Sequence, residues 1–567
     1  MKRLLLGSAL IMMIMVAACD KEFLNRQPLG VLSEDVLATE AGVDALLIAA
    51  YAEVDGFAGW SVGAPWLSAG SNWVYGNVTG TDAYKGSDAG DQIPIVEIER
   101  FVPTAGNEYF RGKWFAVYDG VSRCNDVMRV LAKADEIAAD RKNQIAAEAR
   151  FLRAHYHFEA KKMWNNVPYL DETVTDPRVP NNTDIWPNIE ADLQFAFDNL
   201  PVNQAQVGRA TKFAAASLLA KAHLFQGDYA AAKPLLEQVI NSGKYSLEDC
   251  FNDNFNAATQ LNNSEIIFAV QNSVNDGSID GENGAWGDVL NYPYTAGPGT
   301  CCGFNQPTQN LVNAYQTENG LPLLDTYNNT DVKSDQGISS SSPFEPHTGP
   351  LDPRLDWTVG RRGIPYLDWG PHGGQSWTRD QAYGGPYSPI KNVYFKSQDK
   401  TLSTASGWAQ GANANNTILI RYADVLLWAA ECEVEVGSLE KAREYVNIVR
   451  ARAKNGCMVR FDNGDLAANY QIELYNAPWS DQATARKAVR FERRLELGME
   501  GHRFFDLVRW GIAEAEINAY VAKEKNLRTY LNGVVFKPNN NYFPIPRTEI
   551  QNSFKDGQPT LTQNPGY

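Results

Sequence analysis

The sequence predicts a mostly α-helical protein, with a helical scaffold, long irregular loop insertions and few short strands. Three observations predict this class. Apolar residues recur at helical spacing in three blocks, and the second and third blocks contain matching helix–turn–helix segments. About 170 residues between the second and third blocks are rich in Gly, Pro, Asn and Ser. We expect helical scaffold and loops to alternate along the chain. The predicted scaffold covers about 35–55, 105–245 and 415–515, and the predicted ligand-face loops cover about 56–104 and 246–414.

The first helical block, about 109–164, shows the clearest periodicity. Apolar side chains recur there at spacings of three and four residues, so one stripe of the helix is apolar and should pack against another helix. The stripe consists of Ile145, Ala149, Leu152, Tyr156 and Ala160. Two further blocks, about 212–240 and 418–452, have a helical pattern, and the third continues near 483–500.

The second and third blocks contain an internal repeat. Residues 220–240 match residues 430–450 at a fixed offset, which aligns Gly227 with Gly437. We expect each glycine to end a helix, because glycine adopts positive φ after a last helical turn. The small alanines and apolar residues that follow also align: Ala232 with Ala442, Leu236 with Val446 and Val239 with Val449. The unit resembles a tetratricopeptide repeat, although any helical hairpin can place Gly and Ala in this way.

The N-terminus has the layout of a secretory signal. Lys2 and Arg3 precede a mainly apolar run over 4–18, which is too short to span a bilayer. The small residues before Cys19 resemble a lipobox, in which the signal is cut before a lipid-bearing cysteine. We therefore predict a lipoprotein signal peptide over 1–18 and lipid attachment at Cys19, which would anchor a single domain over 19–567 to a membrane. The alternative is an ordinary signal peptide that precedes a cysteine.

Composition and charge limit the function classes. The chain has 567 residues, of which 44% are hydrophobic and 21% charged, as in ordinary globular proteins. It has 51 basic and 67 acidic residues; without Lys2 and Arg3 the basic residues number 49, and the net charge is −18. This balance disfavours nucleic-acid binding, which needs a basic surface.

The cysteines allow several pairings. Six remain after Cys19, and six cysteines can pair in 15 ways. The adjacent Cys301 and Cys302 could form a disulfide, but the strict geometry of disulfides favours free thiols or pairing elsewhere. No zinc-type Cys/His spacing and no EF-hand spacing occurs, so we predict no cofactor; a structural calcium stays open.

Several motifs identify the chain as a member of the SusD/RagB family of surface glycan-binding lipoproteins. They resemble that family in the same order along the chain, and they lie at 71–88, 150–170, 301–315, 418–437, 486–511, 542–553 and 563–567. The resemblance implies a lipid-anchored protein of the outer membrane that faces outward. It also implies a partner, a TonB-dependent transporter of the SusC type, over which the lipoprotein sits as a lid.

Sugar recognition needs aromatic platforms for the C–H faces of the rings and planar polar groups for the hydroxyls. The loop regions offer such residues, and the resemblance places Trp73, Trp286, Cys301 and Cys302 near the glycan face. For any single aromatic residue, packing within the loops is as good an explanation as ligand contact. The candidate ligand-binding set is Trp60, Trp66, Trp73, Tyr75, Asn77, Asp82, Trp286, Cys301, Cys302, Arg361, Trp369, Trp377 and Tyr383.

The segment 486–511 contains three glutamates at i, i+4 and i+8, Glu492, Glu496 and Glu500, together with His502 and several arginines. We expect a charge network that fixes helix packing rather than a catalytic centre. No GxSxG, HExxH or phosphate-loop motif occurs.

The leading prediction is a non-catalytic receptor that binds oligo- or polysaccharide and delivers it to the transporter. The alternatives are a receptor for peptides or glycopeptides, a surface glycoside hydrolase, or a scaffold that only braces the transporter.

Overall fold

The computed structural model describes residues 33–57, 63–278, 281–295, 297–298, 301–404 and 411–567. Helices dominate these residues. In chain order they are α1 (Glu34–Leu37), α2 (Glu40–Ala52), α3 (Ile93–Glu99), α4 (Glu108–Lys133), α5 (Ala139–Trp164), α6 (Trp186–Asn199), α7 (Lys212–Phe225), α8 (Tyr229–Asn241), α9 (Gln309–Ala314), α10 (Leu355–Thr358), α11 (Gln381–Gly384), α12 (Tyr422–Val436), α13 (Leu439–Asn455), α14 (Gln482–Leu497), α15 (Arg503–Arg509), α16 (Ala513–Glu524) and α17 (Arg547–Asn552).

The strands are short and form two-stranded antiparallel sheets, β1 with β3, β2 with β8, β4 with β5, β6 with β7 and β9 with β10. Their bounds are β1 (Ala83–Gly86), β2 (Ile266–Val270), β3 (Phe304–Pro307), β4 (Thr317–Glu318), β5 (Leu321–Pro322), β6 (Val359–Gly360), β7 (Ser388–Pro389), β8 (Thr417–Arg421), β9 (Phe554–Lys555) and β10 (Gln558–Pro559). Across the described ranges, none of the helices combines the length and apolarity needed to cross a bilayer.

The long helices stack in chain order. The helix α4 packs on α2 and α5, α6 packs on α5 and α7, α8 packs on α7 and α12, and α12 also contacts α13 and α14. Side-chain caps mark where several of these helices begin: Thr211 for α7, Ser438 for α13 and Asp481 for α14 each accept a hydrogen bond from a first-turn N–H. The predicted class, a tetratricopeptide-repeat-like helical scaffold with irregular insertions, is confirmed.

Both repeated segments are helical hairpins, α7 with α8 and α12 with α13. Gly227 has the predicted positive φ of 73°, but Gly437 has φ −138°, so that part of the prediction is wrong. A Cβ at Gly437 would lie 1.9 Å from a carboxylate oxygen of Glu433. The same carboxylate accepts a hydrogen bond from the N–H of Ser438 at 2.7 Å. Glycine is needed at this turn for space rather than for its φ angle.

The helix α5 lies at the centre of the stack. All five residues of the predicted apolar stripe are buried, and so are most side chains on its other faces, including Arg153 and Glu159. Arg153 donates to both carboxylate oxygens of Asp192 on α6 at 2.8 Å. A helix packed on all sides needs such pairs, because a buried charge is costly without a partner.

Some predicted boundaries differ from the structure. The third helical block begins with strand β8, in which Ile418 and Ile420 pair with β2, because β-branched residues suit extended backbone. The helix α3 lies inside a region predicted as loop, and α16 extends beyond residue 515. The segments 165–185 and 456–481 are irregular within predicted scaffold.

A buried ion network joins the helical stack to the irregular region. Glu496 on α14 pairs with Arg421 at 2.6 Å, with Arg354 at 3.0 Å and with Arg452. Arg421 also pairs with Glu265 at 2.6 Å. Burial alone would raise the pKa of Glu496, but Arg452, Arg421 and Arg354 outweigh it and hold this pKa well below its usual range.

The other glutamates of the 486–511 motif are paired as well. Glu492 binds Arg450 and Arg354, each at 2.7 Å. Glu500 binds Lys391 at 2.6 Å and Arg421 at 2.9 Å. The predicted charge network that fixes helix packing is therefore present.

Two disulfides occur among the described residues, Cys250–Cys457 and Cys301–Cys302. The expectation that Cys301 and Cys302 are free or paired elsewhere is wrong, because the backbone between them brings their sulfurs together. Cys124 and Cys432 are buried free thiols, and burial raises the pKa of each above its ordinary value.

We expect Glu496→Gln to lower the free energy of unfolding by about 3–5 kcal/mol, because an amide cannot neutralise three buried arginines. Urea unfolding at pH 7 measures this change. The matched control is Glu440→Gln, which breaks a surface pair with Arg443 and should have a much smaller effect. Since the pKa of Glu496 is lowered by folding, its contribution disappears as the pH falls below about 4. A gap that stays constant down to pH 2 would contradict this assignment.

The Cys250–Cys457 bond closes a loop with a sequence separation of 207 residues. Replacing both cysteines with serine should therefore lower the unfolding free energy by about 3–5 kcal/mol in non-reducing buffer. The control is the Cys301→Ser/Cys302→Ser variant, whose bond closes almost no loop and should have a much smaller effect. Calorimetry of both double variants shows which one loses more stability. Equal losses of stability would rule out the loop-closure explanation.

Candidate functional site

Most residues of the predicted ligand-binding set are buried. The aromatic members Trp66, Trp73, Tyr75, Trp286 and Trp377 are each no more than 7% exposed, and Trp369 and Tyr383 are half-buried. Trp60 lies outside the described residues, as does Cys19. For the buried members, packing within the loops is the explanation that the structure supports.

The indoles are held by hydrogen bonds to backbone carbonyls. The Nε1 of Trp73 donates to Gly287 O at 3.1 Å, and that of Trp286 donates to Gly281 O at 2.8 Å. The Nε1 of Trp369 donates to Tyr394 O at 2.9 Å. A buried indole N–H needs such an acceptor, and irregular backbone offers many carbonyls that no strand or helix uses. These tryptophans are core residues of the irregular region.

The polar members are also committed to internal contacts. Asp82 accepts from Arg494 Nε at 2.9 Å, and Arg361 binds both carboxylate oxygens of Asp356 at 2.6 and 2.8 Å. The side-chain oxygen of Asn77 accepts from the backbone N–H of Gly501 at 2.7 Å. Groups paired in this way are not available to sugar hydroxyls.

The remaining members form ring contacts or a covalent bond. Tyr383 stacks on Tyr530 with ring centroids 4.5 Å apart, and Trp377 packs against His372 at 4.8 Å. Cys301 and Cys302 form a disulfide with each other. The hydroxyl of Tyr75 lies 2.7 Å from Leu67 O and 2.8 Å from Tyr109 O and can donate to either. The set thus stabilises the irregular region rather than forming one open platform.

An open cleft of about 320 Å³ lies between the end of α2, the loop 206–209 and the end of β2. Its lining mixes apolar, amide and carboxylate side chains. The lining residues are Ile48, Tyr51, Ala52, Val54, Asp55, Gln206, Val207, Gly208, Arg209, Phe268, Ala269, Val270, Gln271, Asn272, Ser273, Glu282 and Asn283.

Two acceptor atoms in this cleft have no hydrogen-bond partner in the described part of the chain, Asp55 Oδ1 and Asn272 Oδ1. The amide nitrogen of Asn272 donates to Asn415 O at 2.7 Å, which fixes the orientation of the side chain. Burial raises the pKa of Asp55 to about 7. A buried acceptor without a partner is costly, so these two atoms lower the stability of the folded chain.

One wall of the cleft is rigid. Tyr51 Oη donates to Glu148 Oε2 at 2.8 Å, and Arg209 binds the same oxygen at 3.2 Å. The Arg209 guanidinium lies 5.4 Å from the centroid of the Tyr51 ring. Gly208 has φ +86°, and a Cβ there would lie 2.5 Å from Gln271. Glycine therefore lets the loop approach the floor of the cleft closely.

A second cleft of about 260 Å³ adjoins the first and shares its residues 206–209, Phe268, Ala269 and Gln271. We name the two clefts together the polar groove. Its rim carries three of the most exposed apolar side chains, Ile48 (55%), Val207 (61%) and Leu261 (63%). A ligand several units long can contact polar groups on the floor and apolar groups on the rim.

Sequence reasoning missed the polar groove. Its residues come from α2, the 206–209 loop and the segments around 271 and 282, so no local motif contains them. The loop at 206–209 fell within predicted scaffold and contains no aromatic residue. No group of three or more His, Cys, Asp or Glu side chains suited to a metal ion occurs in the ranges that the structure describes.

The stacked helical hairpins with irregular insertions define a tetratricopeptide-like α-helical protein. The chain belongs to the SusD family, since the family model of that description matches residues 264–567, more than half of the chain. A second model, described as "Starch-binding associating with outer membrane", matches residues 31–224. The predicted family is confirmed.

Curated relatives and solved structures agree. SusD-like protein P25 of Formosa agariphila is 26% identical over 459 residues, which cover 77% of this chain and 76% of the relative. Surface glycan-binding protein A of Bacteroides thetaiotaomicron, solved in complex with laminarihexaose, aligns with TM-score 0.67 at 21% identity over 93% of this chain and 99% of that one. A laminarin-binding SusD-like protein aligns with TM-score 0.64 at 24% identity over 93% of this chain and 100% of that one. At these identities, the two structures show the shared fold.

We expect Asp55→Asn to become more stable relative to wild type as the pH rises. The pKa of Asp55 is raised by folding, so between about pH 4 and 7 the folded chain holds a proton that the unfolded chain releases, and wild-type stability falls over that window. For a half-buried group, the difference should change by about 2 kcal/mol between pH 4.5 and pH 8. Urea unfolding at both pH values measures it.

The control for this change is Asp462→Asn, which replaces an exposed loop carboxylate. It accounts for the effect of removing one surface charge. An Asp55→Asn variant whose stability difference is independent of pH would contradict the buried, unpaired state of this carboxyl.

Proposed function

We propose that this chain is a glycan-binding protein of the cell surface that captures an oligo- or polysaccharide in the polar groove. The observation that carries the proposal is an open cleft of about 320 Å³ that combines amide and carboxylate side chains with an exposed apolar rim. Sugars present hydroxyl donors and C–H faces together, which matches this combination. Two structural relatives named for laminarihexaose and laminarin support the same ligand class.

Delivery and anchoring extend the proposal. We place the chain at the outer membrane, lipid-anchored through Cys19 and facing outward, with the captured glycan passed to a TonB-dependent transporter of the SusC type. The lipobox-like residues before Cys19 support the anchor, and the family description that mentions the outer membrane supports the location. Acyl chains on one cysteine would hold the domain at a membrane.

Binding without catalysis is part of the proposal. Glycoside hydrolysis needs two carboxyl groups across the scissile bond, one of them able to act as an acid. The glutamates of the 486–511 motif are each paired with arginines, which leaves none of them as a free acid. Incubating the chain with glycans and detecting new reducing ends would favour a hydrolase instead.

We expect Val207→Asp to weaken glycan binding at least tenfold, because it replaces an exposed apolar contact at the rim with a hydrated carboxylate. Affinity electrophoresis over a panel of glycans that includes laminarin measures the change. Val207 is 61% exposed, so the substitution should leave the fold intact.

The matched control is Val102→Asp, at a valine that is 59% exposed and does not line the groove. It should bind as wild type does. If no glycan in the gel slows the wild-type chain but members of a peptide panel bind it, the function is that of a peptide or glycopeptide receptor and not of a glycan receptor. If it assembles with the transporter but binds neither panel, the scaffold function replaces both.

A further inference from the structure

A further pocket, of about 280 Å³, lies apart from the two clefts of the polar groove. It is formed by one face of α14, by α15, by the start of α16 and by the loop around 324–327, and it shares no lining residue with the polar groove. The lining residues are Leu324, Asp325, Tyr327, Ala483, Arg486, Lys487, Arg490, Phe491, Arg494, Arg503, Trp510, Ile512 and Glu516. We name it the basic pocket.

The charge of this pocket is opposite to that of the whole chain. Its lining contains five cationic side chains and two carboxylates, whereas the chain has 51 basic and 67 acidic residues. Arg486, Arg490 and Arg494 follow one another at i, i+4 and i+8, so α14 presents them on one face. Their positive charges add up locally instead of being dispersed over the surface.

Four of the five cations already have acidic partners. The pairs are Arg486 with Glu435, Lys487 with Asp325, Arg494 with Asp82 and Arg503 with Glu516. The last is long, at 3.5 Å, and Arg503 Nε is buried without a hydrogen-bond partner. With these partners counted, one cation of the pocket, Arg490, is left without a carboxylate.

Arg490 is the exception. Over the described residues it has no hydrogen bond and no ion pair, and its Nε is buried without a partner. Its guanidinium lies 4.8 Å from the centroid of the Trp510 ring, which holds the group by a cation–π contact. The nearby Glu431 is already bound by Arg509 at 2.7 Å and by Trp510 Nε1 at 2.8 Å. Arg490 is therefore half-buried, oriented by Trp510 and without an acidic partner.

We propose that the basic pocket is a binding site for an oxyanion, a carboxylate or a sulfate, carried by a ligand about the size of one sugar ring. Arginine binds both groups with paired N–H donors, and Arg490 with Arg503 supplies such donors here. Phe491, Trp510 and Leu324 supply the apolar wall for the rest of the ligand. The site acts independently of glycan capture in the polar groove.

Isothermal titration of the purified chain with glucuronate, glucose 6-sulfate, inorganic sulfate and glucose tests the proposal. At least one of the two acidic sugars should bind ten times more tightly than glucose, and their order identifies carboxylate or sulfate as the preferred group. Inorganic sulfate should bind more weakly than the acidic sugar that binds best, because sulfate alone makes no contact with the apolar wall. Equal, or no, binding of glucose and both acidic sugars would overturn the proposal.

Variants locate the binding. Arg490→Gln should weaken binding of the acidic sugar at least tenfold without lowering the melting temperature, because Arg490 makes no internal pair that the substitution breaks. Arg503→Gln provides a second variant with the same expected loss. Arg443→Gln, which removes an arginine outside the pocket, should leave the affinity unchanged. Unchanged affinity in both Arg490→Gln and Arg503→Gln would overturn the assignment.

Discussion

The structure depends on one buried carboxylate, Glu496, and the arginines that surround it. The arginines come from three separate parts of the chain: Arg354 from the segment before α10, Arg421 from the end of β8 and Arg452 from α13. A buried glutamate that lost these partners would be an uncompensated charge, which costs several kcal/mol. Satisfying Glu496 therefore forces the helical stack and the irregular region into one arrangement, and Glu265 at the start of β2 extends the same constraint.

Once the irregular region is held in place, tryptophans stabilise it internally. Segments without regular secondary structure leave backbone carbonyls without partners, and buried indole N–H groups bind several of them, as at Gly287, Gly281 and Tyr394. Each indole also fills a large volume with few rotatable bonds. The same residue type thus closes the irregular core and satisfies its polar backbone, which explains why tryptophan is frequent in Gly-rich segments that contain little helix or strand.

The helical stack could be predicted from the sequence because its signals are local. Apolar spacing on α5 and the aligned hairpins at Gly227 and Gly437 each lie within about 20 residues, as do the capping residues. The candidate site could not be predicted in this way. Asp55 and Asn272 meet in the polar groove although about 200 residues separate them, and a tryptophan in a Gly-rich segment has the same local context whether it faces solvent or an irregular core. Burial depends on contacts between distant segments, which composition does not encode.

The partners of a charged or polar side chain show which groups folding already uses, and residue type alone does not show this. Glu496 and Arg490 belong to the same helix and to the same motif, yet Glu496 is bound by three arginines and Arg490 has no partner among the described residues. Asp82 and Asp55 differ in the same way, since Asp82 is bound by Arg494 and Asp55 Oδ1 is unpartnered. Folding already uses the paired groups, so removing one destabilises the chain. The unpaired groups have a cost that folding leaves uncompensated, and a ligand of matching chemistry would remove that cost.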